Sequence, residues 1–374
     1  MNIDLHRAMR QATSAVRGSD PVRATAILQE ALGAAFSKPA ASGPAPSAAV
    51  PRLAPPPEVQ PRRRWPLGEV VSRLRGARAA PGQPSPSAEP ATPDGATFET
   101  RAFTGPGGGR SYKLFIPGSS APRGLIVMLH GCKQNPDDFA TGTNMNELAE
   151  AHGLAVAYPA QARSANVSNC WNWFNPADQF RDAGEPMILA GITQQLTREF
   201  GLDRSRVFVA GLSAGGAMAA VLGETYSDLF AAVGVHSGLP YQAAQDVMSA
   251  FAAMKGEARP ASARRAKPRH AVRTIVFHGD QDRTVHPANA DRVADAALAA
   301  VETSGPRRDT QGDARGRRFA ASVFAGEDGV PAVELWRIEG AGHAWSGGNP
   351  RGSFTDAQGP DASAEMVRFF LADA

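Results

Sequence analysis

The first twenty residues, Met1 to Asp20, lack an apolar run of even roughly seven residues and any small-residue cleavage site behind one, so they do not read as an ordinary signal peptide. No stretch approaches the roughly eighteen consecutive apolar residues that a membrane-spanning helix needs, and no transmembrane segment is expected. His-Glu-x-x-His, paired Cys-x-x-Cys and the Gly-Lys phosphate loop are all missing, which leaves no sequence ground for a metal site or an organic cofactor. Cysteine is scarce: Cys132 and Cys170 are the only two in 374 residues, too few for a disulfide framework. They form either one bridge, which needs Cα atoms within roughly 7 Å, or two reduced buried thiols, the usual state in a cytosolic protein. The formal charge is only +3. Its arginines are scattered through Arg259 to Arg273 and Arg307 to Arg318 without interleaved aromatics, so both stretches read as solvated loops and no nucleic-acid partner is expected. On these residues alone the expected location is cytoplasmic.

Proline, by contrast, is plentiful and clustered. Residues 37–95 alternate Ala/Pro/Ser stretches with Arg62-Arg63-Arg64, hold few large apolar residues, and read as a disordered linker. Ahead of it, residues 1–36 carry Leu5, Met9, Ala12 and Val16, then Ala24, Ile27, Leu28, Ala31 and Leu32, at near-helical spacing. Ser19-Asp20-Pro21 would end one helix and start the next. Such a helical hairpin is expected to pack on itself or on another element, or else to attach the chain to a polymer granule, a membrane surface or a partner protein.

From residue 96 to 374 strand and helix signals alternate, the pattern of an α/β domain with a mostly parallel sheet and helices on both faces. Thr97–Phe103 and Arg110–Pro117 predict an opening hairpin across Gly105-Pro106-Gly107-Gly108-Gly109. Parallel strands are expected at Leu125–His130, Leu154–Tyr158, Val207–Ala210, Ala231–His236, Thr274–His278 and Val333–Ile338. A helix is expected at Met187–Phe200, and Ala320–Phe324 pairs antiparallel with the last strand.

Gly211-Leu212-Ser213-Ala214-Gly215 joins the strand Val207–Ala210 to the small-residue stretch beginning at Gly216. Strand, Gly-x-Ser-x-Gly, helix is the order of a nucleophile elbow, with glycines where a Cβ would collide with strand or helix. Ser213 is thus the candidate nucleophile. Asp280 and Asp282 follow one strand and His343, set among Gly340, Gly342, Gly347 and Gly348, follows the last, giving the Ser, Asp, His chain order of an α/β-hydrolase triad. The backbone N–H groups of Cys132, just past the strand Leu125–Leu129, and of Ala214 are the candidate oxyanion donors. His130 and His278, at strand ends, read as packed structural histidines; His236 and His286 read as loop residues. Aspartate also forms turns by itself, so at least one of Asp280 and Asp282 is expected to do only that.

The segments Leu129-His130-Gly131-Cys132-Lys133-Gln134, Cys170-Trp171-Asn172-Trp173-Phe174, Gly211 to Met218 and Gly342-His343-Ala344-Trp345-Ser346-Gly347-Gly348 resemble the esterase, PHB depolymerase family. The resemblance runs from about Phe98 to the C-terminus. It implies the α/β-hydrolase fold and cleavage of poly(3-hydroxybutyrate) or similar esters, with feruloyl and acetylxylan esterases as related activities. It also implies Ser213 as nucleophile, His343 as base and Asp282 rather than Asp280 as acid, and an extracellular location. Trp171, Trp173 and Trp345 lie in segments expected around the substrate site, where aromatic faces suit an aryl or polyester acyl group, and core packing explains at least one of them equally well. A non-catalytic interaction protein on a hydrolase scaffold is the alternative from another class, which the intact Ser213 and His343 disfavour.

Overall fold

The computed structural model describes residues 90, 92–257, 270, 272–303 and 306–372. The helical segment expected over residues 1–36, nearly all of the linker expected over 37–95 and most of the stretch from Arg259 lie outside the described residues.

Among the described residues ten strands form one sheet. β1 (Thr97–Gly105) and β2 (Gly108–Ile116) make the opening hairpin, and β3 (Leu125–Leu129), β4 (Ala155–Pro159), β5 (Val207–Leu212), β6 (Ala232–His236) and β7 (Arg273–Gly279) follow. β8 (Arg308–Ala314), β9 (Arg317–Ala325) and β10 (Pro331–Ile338) complete it. The spatial order is β1-β2-β4-β3-β5-β6-β7-β10-β9-β8. The central six strands, β4 to β10, run parallel, and an antiparallel pair flanks them on each side. β9 thus supplies the expected antiparallel partner of the last strand. Beyond the sheet, the short strands β11 (Trp345–Ser346) and β12 (Thr355–Asp356) pair parallel with each other.

Helices α1 (Pro136–Thr143), α2 (Met145–His152), α3 (Gly184–Phe200), α4 (Ala214–Thr225), α5 (Val247–Met254), α6 (Ala288–Leu298) and α7 (Ala362–Phe370) cover both faces, and this explains the unbroken apolar strands. Every residue of β3, β4, β5 and β6 is buried. Because side chains alternate along a strand, Leu125, Val127 and Leu129 enter one apolar cluster while Ile126 and Met128 enter the other. α3 (Gly184–Phe200), which begins three residues before the expected helix, packs Ile188, Leu189 and Ile192 into the first cluster. It stops at Gly201, where φ is +64, a left-handed cap that favours glycine. α7 (Ala362–Phe370) buries Met366, Val367, Phe369 and Phe370 on the opposite face, with Phe370 stacked on Phe208 at 4.9 Å. Fully burying one such side chain stabilises by about 1.5–3 kcal/mol.

Both arginine-rich stretches depart from the loop expectation where they are described. Arg308–Ala314 is the edge strand β8, joined to β9 through Arg315 and Gly316, both at positive φ. Its residues are exposed or half-exposed, so it carries no apolar alternation for a sequence reading to detect. Charged side chains on such an edge discourage pairing with other chains. Arg273 opens β7 and donates to the carbonyls of Phe369 and Phe370, at the C-terminal end of α7 where a cation is favoured.

Candidate active site

β5 ends at Leu212 and α4 (Ala214–Thr225) begins at Ala214, so Ser213 alone makes the turn, at φ 58 and ψ −119. An L-residue held there costs on the order of 1–3 kcal/mol, which surrounding packing must offset. The glycines around it are required by contact. A Cβ on Gly215 would lie 2.0 Å from the Leu129 carbonyl oxygen, and one on Gly211 2.4 Å from the Gly215 carbonyl carbon. Both obstacles are backbone and cannot rotate away. Gly215→Ala should therefore lower unfolding stability by at least about 3 kcal/mol in a urea titration; an unchanged midpoint would show that the elbow is not jammed against β3.

The end of β3 meets this elbow. A Cβ on Gly131 would lie 3.6 Å from that of Ser213. In the turn after the strand, Gly131 N–H donates to Gln134 Oε1 at 2.9 Å, Lys133 N–H to Ser168 O at 2.8 Å and Gln134 N–H to Gly131 O at 3.2 Å. The Cys132 N–H has no acceptor among the described residues. Neither has the Ala214 N–H, the first of the orphan amides at the positive end of α4. Two unspent donors thus flank the serine. Cys132 is joined to Cys170 by a disulfide with Cα atoms 4.2 Å apart, which ties this turn to the segment 162–175.

β6 links the elbow to the other half of the site. Ser213 N–H donates to His236 O at 2.9 Å, and Ser346 N–H, three residues past His343, donates to His236 Nε2 at 3.0 Å. Ser213, the turn after β7 and the loop after β10 all stand at the carboxyl edge of the parallel strands, where open α/β sheets place their sites. In the turn after β7, Asp282 Oδ1 accepts from Thr284 N–H and Val285 N–H at 2.8 and 2.9 Å. Its Oδ2 lies 2.7 Å from His343 Nδ1 and 3.3 Å from His278 Nε2. Asp280 points elsewhere: it is exposed and accepts the Gly340 N–H at 2.8 Å. Of the two aspartates, only Asp282 holds the imidazole.

Electrostatics follow from burial and these bonds. Burial alone would raise the Asp282 carboxyl, but hydrogen bonds from His278 and His343 hold it well below the usual carboxylate range. With Nδ1 of His343 bonded to a carboxylate, Nε2 is the nitrogen left to exchange a proton. The Ser213 hydroxyl makes no hydrogen bond among the described residues. Catalytic hydrogen bonds are often long or misaligned in resting sites and tighten when substrate binds.

Two further histidines were underrated by the sequence reading. His278 packs at the end of β7 as expected, yet it also donates through Nε2 to Val285 O at 2.9 Å beside Asp282. His236 is no loop residue; it ends β6, wholly buried, stacked between Phe277 and Trp345. Their signal was position alone, a histidine closing an apolar parallel strand. Burial pushes His236 down to about 3 and His130 down to about 4, so both are neutral near pH 7. Unfolded, each imidazole titrates near pH 6.5. Between that value and the folded one the unfolded chain binds more protons, so acid removes stability, by a few kcal/mol per group. Asp282 adds a further loss as the unfolded carboxyl protonates near pH 4. The urea midpoint followed by tryptophan fluorescence should fall steadily from pH 7 to pH 4; a flat profile would contradict two buried neutral imidazoles.

The tryptophans require a correction. Trp171 is fully buried, its Nε1 donating to His130 O at 3.0 Å. Trp345 is 1% exposed, packed against Phe139 and His236, with Nε1 donating to Ser363 Oγ. Neither offers a face to substrate; both support the turns that carry the site. Trp173 keeps 6% of its surface and packs edge-on to Phe174 in the core. An aromatic beside a catalytic motif was read as lining when it is scaffold. Among the described residues no cluster of His, Cys, Asp and Glu is arranged to hold a metal ion.

Known proteins share this arrangement to stated extents. The chain is 32% identical over 253 residues to the poly(3-hydroxyalkanoate) depolymerase C of Paucimonas lemoignei, covering 64% of this chain and 59% of that protein. It is 31% identical over 129 residues to the feruloyl esterase B of Neurospora crassa, covering 34% and 43% respectively. It is also 28% identical over 238 residues to a probable acetylxylan esterase A of Aspergillus fumigatus, covering 59% and 62%. The chain therefore spans less than two thirds of the length of each of these relatives. Among solved structures, an acetyl xylan esterase from Aspergillus awamori matches with a TM-score of 0.56 at 21% identity, over 73% of this chain and 98% of that one; the fold is that of the α/β-hydrolases. The sequence pattern of the family described as esterase PHB depolymerase matches residues 110–317, more than half of the chain, and the protein belongs to that family.

Proposed function

We propose that this protein is a serine carboxylic-ester hydrolase acting on poly(3-hydroxybutyrate)-like polyesters or related short-acyl esters. The observation that carries the reading is the strained elbow at Ser213 with two unbonded amides, those of Cys132 and Ala214, beside it. Ser213 Oγ attacks the ester carbonyl as His343 Nε2 takes its proton. The tetrahedral oxygen gathers negative charge in reach of the two amides, each worth roughly a hundredfold to a thousandfold in rate. Collapse expels the alcohol, which takes the proton back from His343. Water, deprotonated by the same imidazole, then releases the acyl group from Ser213. Asp282 stays ionised throughout, fixing the His343 tautomer and stabilising its cation.

A second reading, hydrolysis of feruloyl or acetyl groups on plant polysaccharide, is favoured by the feruloyl and acetylxylan esterases among the relatives. Purified protein offered poly(3-hydroxybutyrate), acetylated xylan and methyl ferulate side by side separates the two. Release of 3-hydroxybutyrate oligomers at the highest rate supports the polyester assignment, and faster release of acetate or ferulate overturns it.

The Cys132–Cys170 bridge supports an oxidising, extracellular setting over the cytoplasmic placement suggested by the N-terminus. Thiol counting under denaturing, non-reducing conditions on protein from its native compartment tests this, with no free thiol expected. Residues 1–36 are proposed to contact a polymer granule or a partner protein. Deletion of residues 1–95 should then abolish granule co-sedimentation while leaving hydrolysis of a soluble ester intact.

A further inference from the structure

We propose that His278 is a positioning residue of the triad. Its Nε2–H, shared between Asp282 Oδ2 and Val285 O, pins the carboxylate and draws off part of the charge that Asp282 offers to His343. This rests on the assignment of Asp282 and His343 as acid and base. Val285 O, 2.9 Å from Nε2, can only accept, so that nitrogen carries the ring hydrogen. The same nitrogen lies 3.3 Å from Asp282 Oδ2, and one N–H reaches both oxygens as a three-centre bond. The carboxylate then receives Thr284 N–H and Val285 N–H on Oδ1, and His343 Nδ1–H and His278 Nε2–H on Oδ2. A carboxylate has about four acceptor positions, and His278 fills the last of them.

Packing alone does not account for an imidazole at this place. The His278 side chain is 1% exposed, and its Nδ1 is buried with no hydrogen-bond partner among the described residues. A bare acceptor in the core is unfavourable, and an apolar side chain at the end of β7 would remove it. What the imidazole supplies that leucine or phenylalanine cannot is the N–H aimed at Asp282. Bulk water does not reach that oxygen either, since the Asp282 side chain is 0% exposed. The other charged and titratable groups nearby are engaged elsewhere. His236 on β6 is neutral near pH 7 and accepts the Ser346 N–H. Arg337, beside His278 in register on β10, is paired with Asp291 of α6. Asp280 accepts the Gly340 N–H, and Arg283 and His286 of the same turn are exposed. A donor on Oδ2 stabilises the carboxylate and weakens its hold on a His343 cation. Without it the protonated imidazole is favoured more strongly, so acidification should stop the enzyme at a higher pH.

The test compares His278→Leu, which removes the N–H, with His278→Gln, whose amide NH2 reaches about as far along the side chain as Nε2–H does. Both are assayed on p-nitrophenyl butyrate across roughly pH 5 to 9, because the acid limb of kcat/KM reports the ionisation of the free enzyme's base. Rates are normalised to sites titrated by a fluorophosphonate. In His278→Leu the midpoint of the acid limb should rise by about half to one pH unit. On the plateau kcat should fall about three- to tenfold, with KM within about threefold, as the carboxylate loses one anchor. His278→Gln should recover most of both. If the leucine variant does not fold, His278→Phe takes its place. A midpoint unmoved or lowered in the leucine or phenylalanine variant overturns the proposal, as does a glutamine variant no closer to wild type than they are. Ser213→Ala is run alongside. Activity surviving in that variant would remove the assigned site itself, whereas an inactive Ser213→Ala beside an unmoved midpoint defeats only the role given to His278.

Discussion

Ser213→Ala should lower kcat for p-nitrophenyl butyrate by about five to six orders of magnitude, the scale seen when a triad nucleophile is removed from a serine hydrolase. The protein should remain folded. The Ser213 hydroxyl makes no hydrogen bond in the resting site, so its removal strands no partner, and alanine meets the same backbone strain at φ 58 that serine does. Stability should stay within about 1 kcal/mol, as for substitutions that leave no cavity and no orphaned polar group. This separation of activity from stability is what distinguishes a nucleophile from a structural residue at an elbow. An inactive variant that also unfolds in far less urea would say only that the turn had collapsed.

Asp282→Asn should reduce kcat by about ten-thousandfold, while Asp280→Asn stays within a few-fold of wild type. Asparagine keeps one oxygen, which can still accept from the Thr284 and Val285 amides and hold the turn. Its NH2 would then face His343 Nδ1 and His278 Nε2, where the carboxylate now accepts. A donor there forces His343 to carry its hydrogen on Nε2, the nitrogen proposed to take the Ser213 proton. The Asp280 carboxylate instead bonds the Gly340 N–H on the surface, and its amide analogue can do the same. Steady-state rates on one soluble ester for both variants settle the assignment. Equal losses would mean that the turn after β7 acts as a whole rather than through one carboxylate.

Much of this architecture was legible because parallel strands buried on both faces must be apolar along their whole length. The runs at Leu125, Val207 and Ala232 announce such strands without reference to neighbours. The elbow was legible for a similar reason: Gly211 and Gly215 are forced by backbone contacts under 3 Å, so a steric requirement is written directly as residue identity. Asp280 and Asp282 could not be told apart from composition, since each sits in one tight turn and only the fold shows which carboxylate meets the imidazole. β8 escaped notice because an exposed edge strand is held by backbone bonds that leave no hydrophobic pattern. The tryptophans misled because large aromatics near a site serve packing as readily as binding. Trp171 and Trp345 spend their indole N–H groups on His130 O and Ser363 Oγ rather than on a substrate.

The most direct measurement is covalent. Treating the folded protein with a fluorophosphonate ester and mapping the adduct by peptide mass spectrometry asks whether one hydroxyl is activated. Modification at Ser213 alone, one adduct per chain, lost in Ser213→Ala and slowed sharply in Asp282→Asn, is the predicted result. No adduct, or stoichiometric labelling of any other residue, would contradict the account.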